Sequence, residues 1–488
     1  MSVIIVLERP EAMTFNIPGV EVVAAREYLA NPEFGKRRGL KVFNLSRSYR
    51  YQSVGYYVSL LALARGHRPL PSVSTIQDLR SRSLVKVLSE DLDGAIQKSL
   101  SSLTSDRFEL SVYFGTNLAQ RHRRLARQLF NIFPAPLLRA SFARNGHAWS
   151  LRSIRPIGVR EVPDSHRDFL AEAATTYFSR RGSVPSTPAP LPLDLAVLLD
   201  PDEPEAPSNE GALRRFERAA RDEGIAVERI GKDDFGRLPE FDALFIRATT
   251  AVDDYTFRFS RRADAEGLAV IDDPESIVRC TNKVFLAELL ARHKVPIPRT
   301  VALHRDNIDQ IPALLGFPMI LKLPDSSFSL GVKRVDDERE FRERTAEFLA
   351  QSELAVAQEY VPTDFDWRVG VLDREILYAA RYRMAPGHWQ IVQRKGERTR
   401  YGGVEALPLD QVPPRVLEVA GQAAGLVGDG LYGVDLKTVG DRVVVMEVND
   451  NPTIDRGYED AVLGMELYQR LARSFKARIE RLKRREGP

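Results

Sequence analysis

Two neighbouring segments late in the chain decide how it folds: Leu431-Tyr432-Gly433-Val434-Asp435-Leu436-Lys437 and Val443-Val444-Val445-Met446-Glu447-Val448-Asn449. Both are apolar, and the short turn Val439-Gly440-Asp441 joins them, which predicts a β-hairpin. Side chains alternate along a strand, so Glu447 and Asn449 share a face, and the turn places Asp435 roughly opposite them. We therefore expect three oxygen-bearing side chains to converge.

Oxygen ligands of this kind indicate a hard cation. Two carboxylates and an amide oxygen, with no histidine or thiolate, are the set expected for Mg²⁺ held between a protein and phosphate groups. The alternative is a hairpin with an ordinary polar outer face. The run Asn449-Asp450-Asn451-Pro452, directly after Glu447-Val448 in so apolar a strand, argues against that alternative.

A lysine and a hydroxyl-rich loop form a second group. Lys322 ends the apolar strand Phe317–Leu321, so its side chain either snorkels to solvent or meets an anion. The following loop, with only one glycine, is not a P-loop, but its hydroxyl and backbone donors are able to fold over phosphates. Together with the hairpin, Lys322 and this loop predict a triphosphate cradle, whereas the loop alone is equally typical of a surface. The loop residues concerned are Ser326, Ser327, Ser329 and Gly331.

The strand 355–361 and the nearby Asp366 form a third group. A strand that borders a cleft can read an adenine edge with its backbone, and a carboxylate close by can accept a hydrogen bond from a ribose hydroxyl. Taken alone, the segment is typical of any buried strand.

Length and composition bound the remaining possibilities. A chain of 488 residues suggests roughly three domains. The net charge of +3 gives no global attraction to nucleic acid, and no apolar run approaches the length of a membrane span. Cys280 is the single cysteine, which excludes an internal disulfide, and we expect a cytoplasmic protein. The basic C-terminal run from Arg473 to Arg485 is interpreted as the solvated face of a closing helix.

A proline-rich stretch, 182–192, predicts a domain boundary. Residues 193–275 alternate short apolar strands with amphipathic helices, which predicts a small, mostly parallel sheet. From 282 onwards the order of helices and strands fits two α/β subdomains with a cleft between them. The loop Pro201–Asn209 follows the first strand of the parallel sheet and is either ligand-facing or simply exposed.

Several of these segments, in this order and spacing, resemble the ATP-grasp superfamily and, within it, the RimK-like ligases. The resemblance covers roughly 195 to 475 and rests on several ordered motifs. The motifs are Thr281-Asn282-Lys283, Phe317–Lys322, Gln358-Glu359-Tyr360-Val361, Asp366-Trp367-Arg368-Val369, Asp435 and Glu447–Pro452. The earlier region resembles the RimK-like ATP-grasp N-terminal domain, on the evidence of Asn44-Leu45-Ser46, Tyr49–Ser53, Gly55–Leu61 and Pro71-Ser72.

The resemblance implies a multidomain α/β protein. Residues 281–488 would form the ATP-grasp catalytic domain, two α/β subdomains that grip ATP. Residues 191–280 would form a small, mostly parallel pre-ATP-grasp domain, and residues 1–190 the α/β RimK-like N-terminal domain, whose role the resemblance leaves open.

The resemblance also implies a reaction. A γ-phosphoryl group would pass to a substrate carboxylate, and an amine would then attack the acyl phosphate and release phosphate, with Lys322 and Arg381 as catalytic residues. The implied binding residues are Lys283 and Lys322 for the phosphates, Gln358, Glu359, Tyr360 and Val361 for adenine, Asp366 for ribose, and Asp435, Glu447 and Asn449 for two magnesium ions, which manganese could replace.

Substrate residues are less defined. Arginines near the cleft suggest an anionic substrate, with a solvated basic rim as the alternative: Arg368, Arg383, Arg394 and Arg456. Two segments depart from the RimK-like pattern where acceptors bind, Trp389–Arg394 before Tyr401-Gly402-Gly403, and Thr453–Gly457. Addition of glutamate to a ribosomal protein is therefore not assumed.

Three functions remain open from the sequence. The first is a carboxylate-amine ligase for acidic amino acids or peptides, and the second is a ligase that modifies the terminus of a protein docked on the N-terminal domain. The third is a nucleotide-binding scaffold without chemistry, against which the intact Asp435, Glu447 and Asn449 argue. No nucleic acid or membrane partner is expected, and an oligomer is possible.

Overall fold

The computed structural model describes residues 3–37, 39–81, 85, 92–146, 148–179, 193–325, 331–395 and 398–485, with side chains for all of these except 394, 395, 398 and 485. In these ranges the strands form six sheets. No helix within them is long and apolar enough to cross a membrane. The mixed, multidomain α/β architecture expected from the sequence is confirmed, but the proline-rich stretch 182–192 lies outside the described residues, so the domain boundaries stay predictions.

The first part of the chain holds a parallel sheet in the order β2-β1-β3-β4 and an antiparallel sheet in the order β5-β6-β7. One apolar core lies between them and includes Phe43, Tyr113 and Phe130. The strands are β1 (Val3–Leu7), β2 (Val20–Ala24), β3 (Lys41–Asn44), β4 (Arg68–Leu70), β5 (Arg107–Tyr113), β6 (Leu137–Asn145) and β7 (Ala148–Pro156). The helices are α1 (Ala25–Ala30), α2 (Glu33–Lys36), α3 (Val54–Ala64), α4 (Val73–Asp78), α5 (Asp93–Leu100), α6 (Arg123–Ile132) and α7 (Arg167–Ser179).

A second parallel sheet follows, in the order β11-β10-β8-β9. Its strands are fully parallel, as the alternation of strands and helices predicts. The elements are β8 (Leu193–Leu198), α8 (Glu210–Asp222), β9 (Ile225–Ile230), β10 (Ala243–Ile246), α9 (Tyr255–Ala265) and β11 (Ala269–Ile271), with a 3₁₀ helix at Lys232–Glu240.

The two parallel sheets meet at the amino ends of their strands. Lys41 at the start of β3 pairs with Asp194 at 2.8 Å, and Arg68 at the start of β4 pairs with Asp242 at 2.9 Å. Asp242 is buried and also pairs with Lys483, at 3.0 Å. The carboxyl ends of the two sheets therefore point in different directions, and those of β8 and β10 point toward the hairpin that carries Glu447.

Two further sheets form the predicted pair of subdomains. The four-stranded sheet has the order β12-β15-β13-β14, and one of its faces is buried under helices α12 and α13. The elements in chain order are α10 (Pro274–Thr281), α11 (Lys283–Arg292), β12 (Thr300–Leu303), α12 (Ile311–Leu315), β13 (Met319–Lys322), β14 (Val332–Val335), α13 (Glu338–Leu349) and β15 (Ala355–Glu359).

The five-stranded sheet has the order β20-β17-β16-β21-β22, and helix α14 buries one face of it. A two-stranded ribbon, β18 and β19, lies apart from it. The elements are β16 (Phe365–Leu372), β17 (Glu375–Arg383), β18 (Val392–Lys395), β19 (Arg398–Tyr401), β20 (Val404–Leu407), α14 (Pro414–Val427), β21 (Leu431–Val439), β22 (Arg442–Asn449) and α15 (Met465–Arg485).

The basic C-terminal run belongs to α15, and its cations are paired with carboxylates. Arg473 pairs with Glu466, Lys476 with Glu223 and Arg478 with Asp373. The run is interpreted from the sequence as a solvated helix face. Its described cations form an ion-paired face instead, and only 13% of the Arg478 side chain is exposed.

Candidate active site

The hairpin of β21 and β22 brings the three predicted oxygen donors together. Asp435 lies directly opposite Glu447, and Gly433 lies opposite Asn449. The Asn449 side-chain amide also donates to Asp435 Oδ2 at 3.2 Å. Gly433 is required here, because a Cβ atom at this position would lie 2.7 Å from Pro452 Cβ.

A β-bulge sets this arrangement. Next to the turn, the strands pair Val439 with Arg442 and Leu436 with Val445, whereas Asp435 pairs with Glu447, so Met446 is the extra residue. In a regular ladder, Asp435 would face Met446, and Glu447 would point to the opposite side of the sheet. The bulge thus turns Glu447 toward Asp435, which the sequence alone does not indicate.

Two cations cover the two carboxylates. The Arg368 guanidinium donates to both Asp435 oxygens at 2.7 Å, and Lys283 Nζ lies 3.2 Å from Glu447 Oε1. Burial alone would raise the pKa of Glu447, but Lys283 and Lys322 hold that pKa below its usual value. Glu447 is therefore ionised at neutral pH.

The donor set fits a hard metal ion. Asp435, Glu447 and Asn449 supply carboxylate and amide oxygens at one place, and the carboxylates already attract cations. Within the described ranges no group of three or more His, Cys, Asp or Glu side chains could hold a metal. The hairpin does not form such a group, since its third donor, Asn449, is an amide. The ligand assignment stays a prediction.

Lys283, at the start of α11, and Lys322, at the end of β13, both exert their charge on Glu447. Lys322 ends β13, and the charge of Glu447 influences its pKa, which burial lowers to about 8. The Lys283 N–H donates to Pro324 O at 3.0 Å, while the Asn282 side chain caps α11 and donates to Asp325 Oδ1. The start of α11 is thus fixed beside the end of β13.

The hydroxyl-rich loop includes residues that the structure does not describe. Ser326, Ser327 and Ser329 lie outside the described residues. Gly331 has a φ of +71°, and its carbonyl accepts from the Leu323 N–H at 2.9 Å. This backbone conformation favours glycine and closes the base of the loop.

The predicted adenine segment lies at the end of β15. Gln358 donates to Thr300 Oγ1 at 2.9 Å, and Glu359 pairs with Arg299 at 2.8 Å and Arg442 at 2.5 Å. The Glu359 N–H is also used, by Arg299 O. Tyr360 and Val361, beyond the strand end, are thus the part of the segment outside the sheet ladder.

Asp366 has a partner that the sequence analysis missed. Lys437 Nζ lies 2.6 Å from Asp366 Oδ1 and donates to Thr363 Oγ1 at 2.7 Å. Burial raises the pKa of Asp366 even though Lys437 opposes this. Lys437 follows Asp435 by two residues on β21, so strand alternation would have placed it on the same face.

Arg381 and Arg383 lie on the other face of the five-stranded sheet. Arg381 is opposite Trp367, whereas Arg368 is opposite Asp435, and residues 367 and 368 point to different sides. Arg381 stacks on Phe365 and Trp367, with its guanidinium carbon 5.1 and 5.0 Å from the ring centroids.

The expectation that Arg381 faces the cleft with the hairpin carboxylates is therefore wrong in this structure. Arg381 and Arg383 both approach Glu405, at 4.0 and 3.1 Å. Tyr382, between them, faces the cleft instead, where the Arg368 guanidinium carbon lies 4.9 Å from its ring centroid and its hydroxyl donates to Glu459.

Two substrate arginines remain, Arg394 and Arg456. Arg394 is in β18, and its side chain lies outside the described residues. Arg456 lines a groove of about 540 Å³ beside α8, together with Arg214, Arg215 and Arg218. Of the four predicted arginines, Arg368 is the one that the described side chains place beside the oxygen donors.

Known families match two long parts of the chain. The RimK-like ATPgrasp N-terminal domain matches residues 25–173, and the RimK-like ATP-grasp domain matches residues 280–474. The second match contains the hairpin, both lysines and Arg368.

Curated relatives match about half of the chain. A probable alpha-L-glutamate ligase of Vibrio vulnificus is 27% identical over 256 residues, 51% of this chain and 82% of the relative. The ribosomal protein bS6--L-glutamate ligase of Escherichia coli is 26% identical over 223 residues, 45% of this chain and 72% of the relative. Among solved structures, D-alanine--D-alanine ligase from Bacillus anthracis aligns with a TM-score of 0.48 at 16% identity, covering 60% of this chain and 100% of that one.

Proposed function

We propose, from the premise that this chain belongs to the RimK-like ATP-grasp ligases, that it activates a substrate carboxylate with ATP and joins it to an amine. The observation that carries the proposal is the convergence of Asp435, Glu447 and Asn449 with Lys283 and Arg368. These groups have the charges needed to hold a nucleotide polyphosphate with its metal.

The charges of the site explain how it would act. Lys283, Lys322, Arg368 and Lys437 are cations, and Asp366, Asp435 and Glu447 are anions, at the junction of two sheets. Phosphoryl transfer needs neutralisation of charge spread over phosphate oxygens and does not need a covalent nucleophile. Fixed cations at this place would lower the barrier without large rearrangement.

A metal ion would be held by Asp435, Glu447 and Asn449, and when bound it would neutralise phosphate charge. The chain's own residues do the rest. Lys322 would hold the transferring phosphate, and Arg368, freed from sole pairing with Asp435, would orient phosphate or substrate oxygens. Tyr360 and Val361 would meet the base, and Asp366 the ribose.

We propose that two magnesium ions act, that manganese can replace them, and that the enzyme works where ATP is abundant, in the cytoplasm. The substrates would be acidic amino acids or peptides, since the relatives named above are glutamate ligases. The basic groove beside α8, with Arg456 and Arg218, suits an acidic acceptor. A polypeptide acceptor is the second candidate, which the bS6 ligase relative favours.

The test is ADP and phosphate release by purified protein with ATP, Mg²⁺ and a panel of amino acids, acidic peptides and acidic proteins. Mass analysis of products identifies the new amide bond. Phosphate release that depends on an added amino acid supports the ligase, and release with no such dependence, or none at all, contradicts it. Glu447→Gln is the matched inactive control.

A further inference from the structure

Arg247, the first residue after β10, is a buried arginine with an unusual set of partners. Its side chain is 1% exposed. Nε donates to Ser208 Oγ at 3.0 Å, Nη1 to Asn451 Oδ1 at 2.6 Å, and Nη2 to the carbonyls of Pro207 and Pro452. All four of these acceptors are uncharged, so hydrogen bonding rather than ion pairing holds the guanidinium.

These four acceptors belong to two loops that are far apart in sequence. Pro207 and Ser208 lie in the loop after β8, whereas Asn451 and Pro452 lie two and three residues after the proposed metal ligand Asn449. One planar guanidinium therefore ties the turn after the metal hairpin to the second parallel sheet.

Neighbours of Arg247 strengthen the same connection. The Asn451 amide donates to Ala248 O at 2.7 Å, and Thr250 Oγ1 donates to Asp450 Oδ2 at 2.8 Å. The segment 247–250 thus holds three consecutive residues, 450–452, by side-chain hydrogen bonds.

The place of Arg247 in its sheet is informative. In the order β11-β10-β8-β9, the chain reverses direction across the sheet between β8 and β10. The carboxyl edge at such a switch point is where open parallel sheets usually bind ligands. Here Arg247 occupies that edge and binds the turn 450–452, which follows the proposed metal ligand Asn449.

We propose that Arg247 is a positioning residue for the metal site. It fixes the turn 450–452, and through it the direction in which Glu447 and Asn449 present their oxygens. This inference rests on the proposed function, because it assigns to the hairpin the role of holding a metal with a nucleotide. It adds that the second parallel sheet controls the geometry of that site.

Lysine should not replace arginine at this position. The four acceptors surround a planar fork with donors in fixed directions, and an ammonium group cannot reach both loops at once. Arg247→Lys keeps the positive charge but removes the hydrogen bonds that join the two loops. The variant therefore separates the effect of the charge from the effect of those hydrogen bonds.

The experiment measures Mn²⁺ binding in the presence of ADP by electron paramagnetic resonance, with no amino acid present. We expect Arg247→Lys to raise the Mn²⁺ dissociation constant by about tenfold or more, as loss of outer-shell partners does in other metal sites. Thr250→Val, a milder change of nearly the same shape, should raise it by a smaller factor and keeps the test decisive if Arg247→Lys does not fold.

Arg237→Lys is the control. Arg237 is also a buried arginine of the same part of the chain, but it precedes β10 and so lies at the other end of the sheet. Its guanidinium pairs with Glu228 at 2.7 Å. Arg237→Lys should lower thermal stability without changing the Mn²⁺ dissociation constant. Wild-type affinity in both Arg247→Lys and Thr250→Val, or an equal loss in Arg237→Lys, would overturn the inference.

The same measurement separates this inference from the proposed function. A wild-type protein that binds Mn²⁺ with ADP, loses it in Arg247→Lys and forms no amide bond would refute the ligase and leave the role of Arg247 intact. A wild-type protein that binds no Mn²⁺ would refute both.

Discussion

The two faces of the five-stranded sheet use the same strands for different purposes. One face presents Asp366, Arg368, Asp435, Lys437, Glu447 and Asn449 to the cleft. The other presents Trp367, Val369, Val434, Leu436, Val445 and Val448 to α14. Neighbouring residues along a strand therefore differ in whether they contribute to the reaction or to stability. Substitutions one residue apart should accordingly lower either the activity or the free energy of unfolding.

The largest effect is expected on the cleft face. Glu447→Gln should reduce ADP formation by about 10³-fold, more than the 10- to 100-fold typical of outer-shell partners, because it removes the charge of a metal ligand. Thermal unfolding should change little, since Glu447 packs in no apolar core. Activity within tenfold of wild type would contradict the metal assignment.

A substitution on the opposite face should lower stability and leave nucleotide binding unchanged. Trp367 is 2% exposed within the core under α14. Trp367→Ala should lower the free energy of unfolding by about 3 to 5 kcal/mol, measured by urea denaturation. The folded fraction should keep its affinity for ADP, and a selective loss of that affinity with unchanged stability would mean that the faces are misassigned.

Lys322, which faces the proposed nucleotide site, should make ADP affinity depend on pH. Burial lowers its pKa to about 8, so Lys322 is charged below that pH and neutral above it. ADP affinity should fall by about tenfold as pH rises through 8, because a hydrogen bond to a charged donor contributes about 1.5 to 3 kcal/mol. Calorimetric titrations at several pH values test this. Lys322→Arg should remove the pH dependence, and Lys322→Met should bind weakly throughout.

The smallest effect is expected for Arg381→Ala. Arg381 stacks on Trp367 on the α14 face, so turnover should change by less than about threefold, the range of ordinary surface substitutions. Arg368→Ala, one strand away on the cleft face, is the matched comparison and should cost far more. Inactivation by Arg381→Ala would restore the catalytic role predicted from the sequence.

Local pattern was enough to predict most elements and the convergence at the hairpin. Asp435 lies opposite Glu447 as expected. The hairpin itself follows from two apolar strands and a tight turn, but the alignment of Glu447 with Asp435 also requires the bulge at Met446.

The predictions that were wrong concern residues whose position depends on the pairing of strands that are distant in sequence. The face of Arg381 depends on how β17 pairs with β16, and the position of Arg456 depends on how the chain returns to α8. The bulge at Met446 could not be read from residue types either, although it corrects the direction of Glu447. Strand alternation alone places Lys437 on the same face as Asp435, so its position was predictable from the sequence.

The junction between the two parallel sheets, where Arg68 meets Asp242, limits what kind of molecule could touch both ends of the protein. The distance from the carboxyl edge of the first sheet to the turn 450–452, which Arg247 holds, is the length of two strands plus one salt bridge. It is therefore on the order of 30 Å. A free amino acid cannot span that separation, but about ten residues of extended polypeptide can. An acceptor recognised at the far edge of the first sheet would therefore have to be a macromolecule, either an extended peptide or a protein.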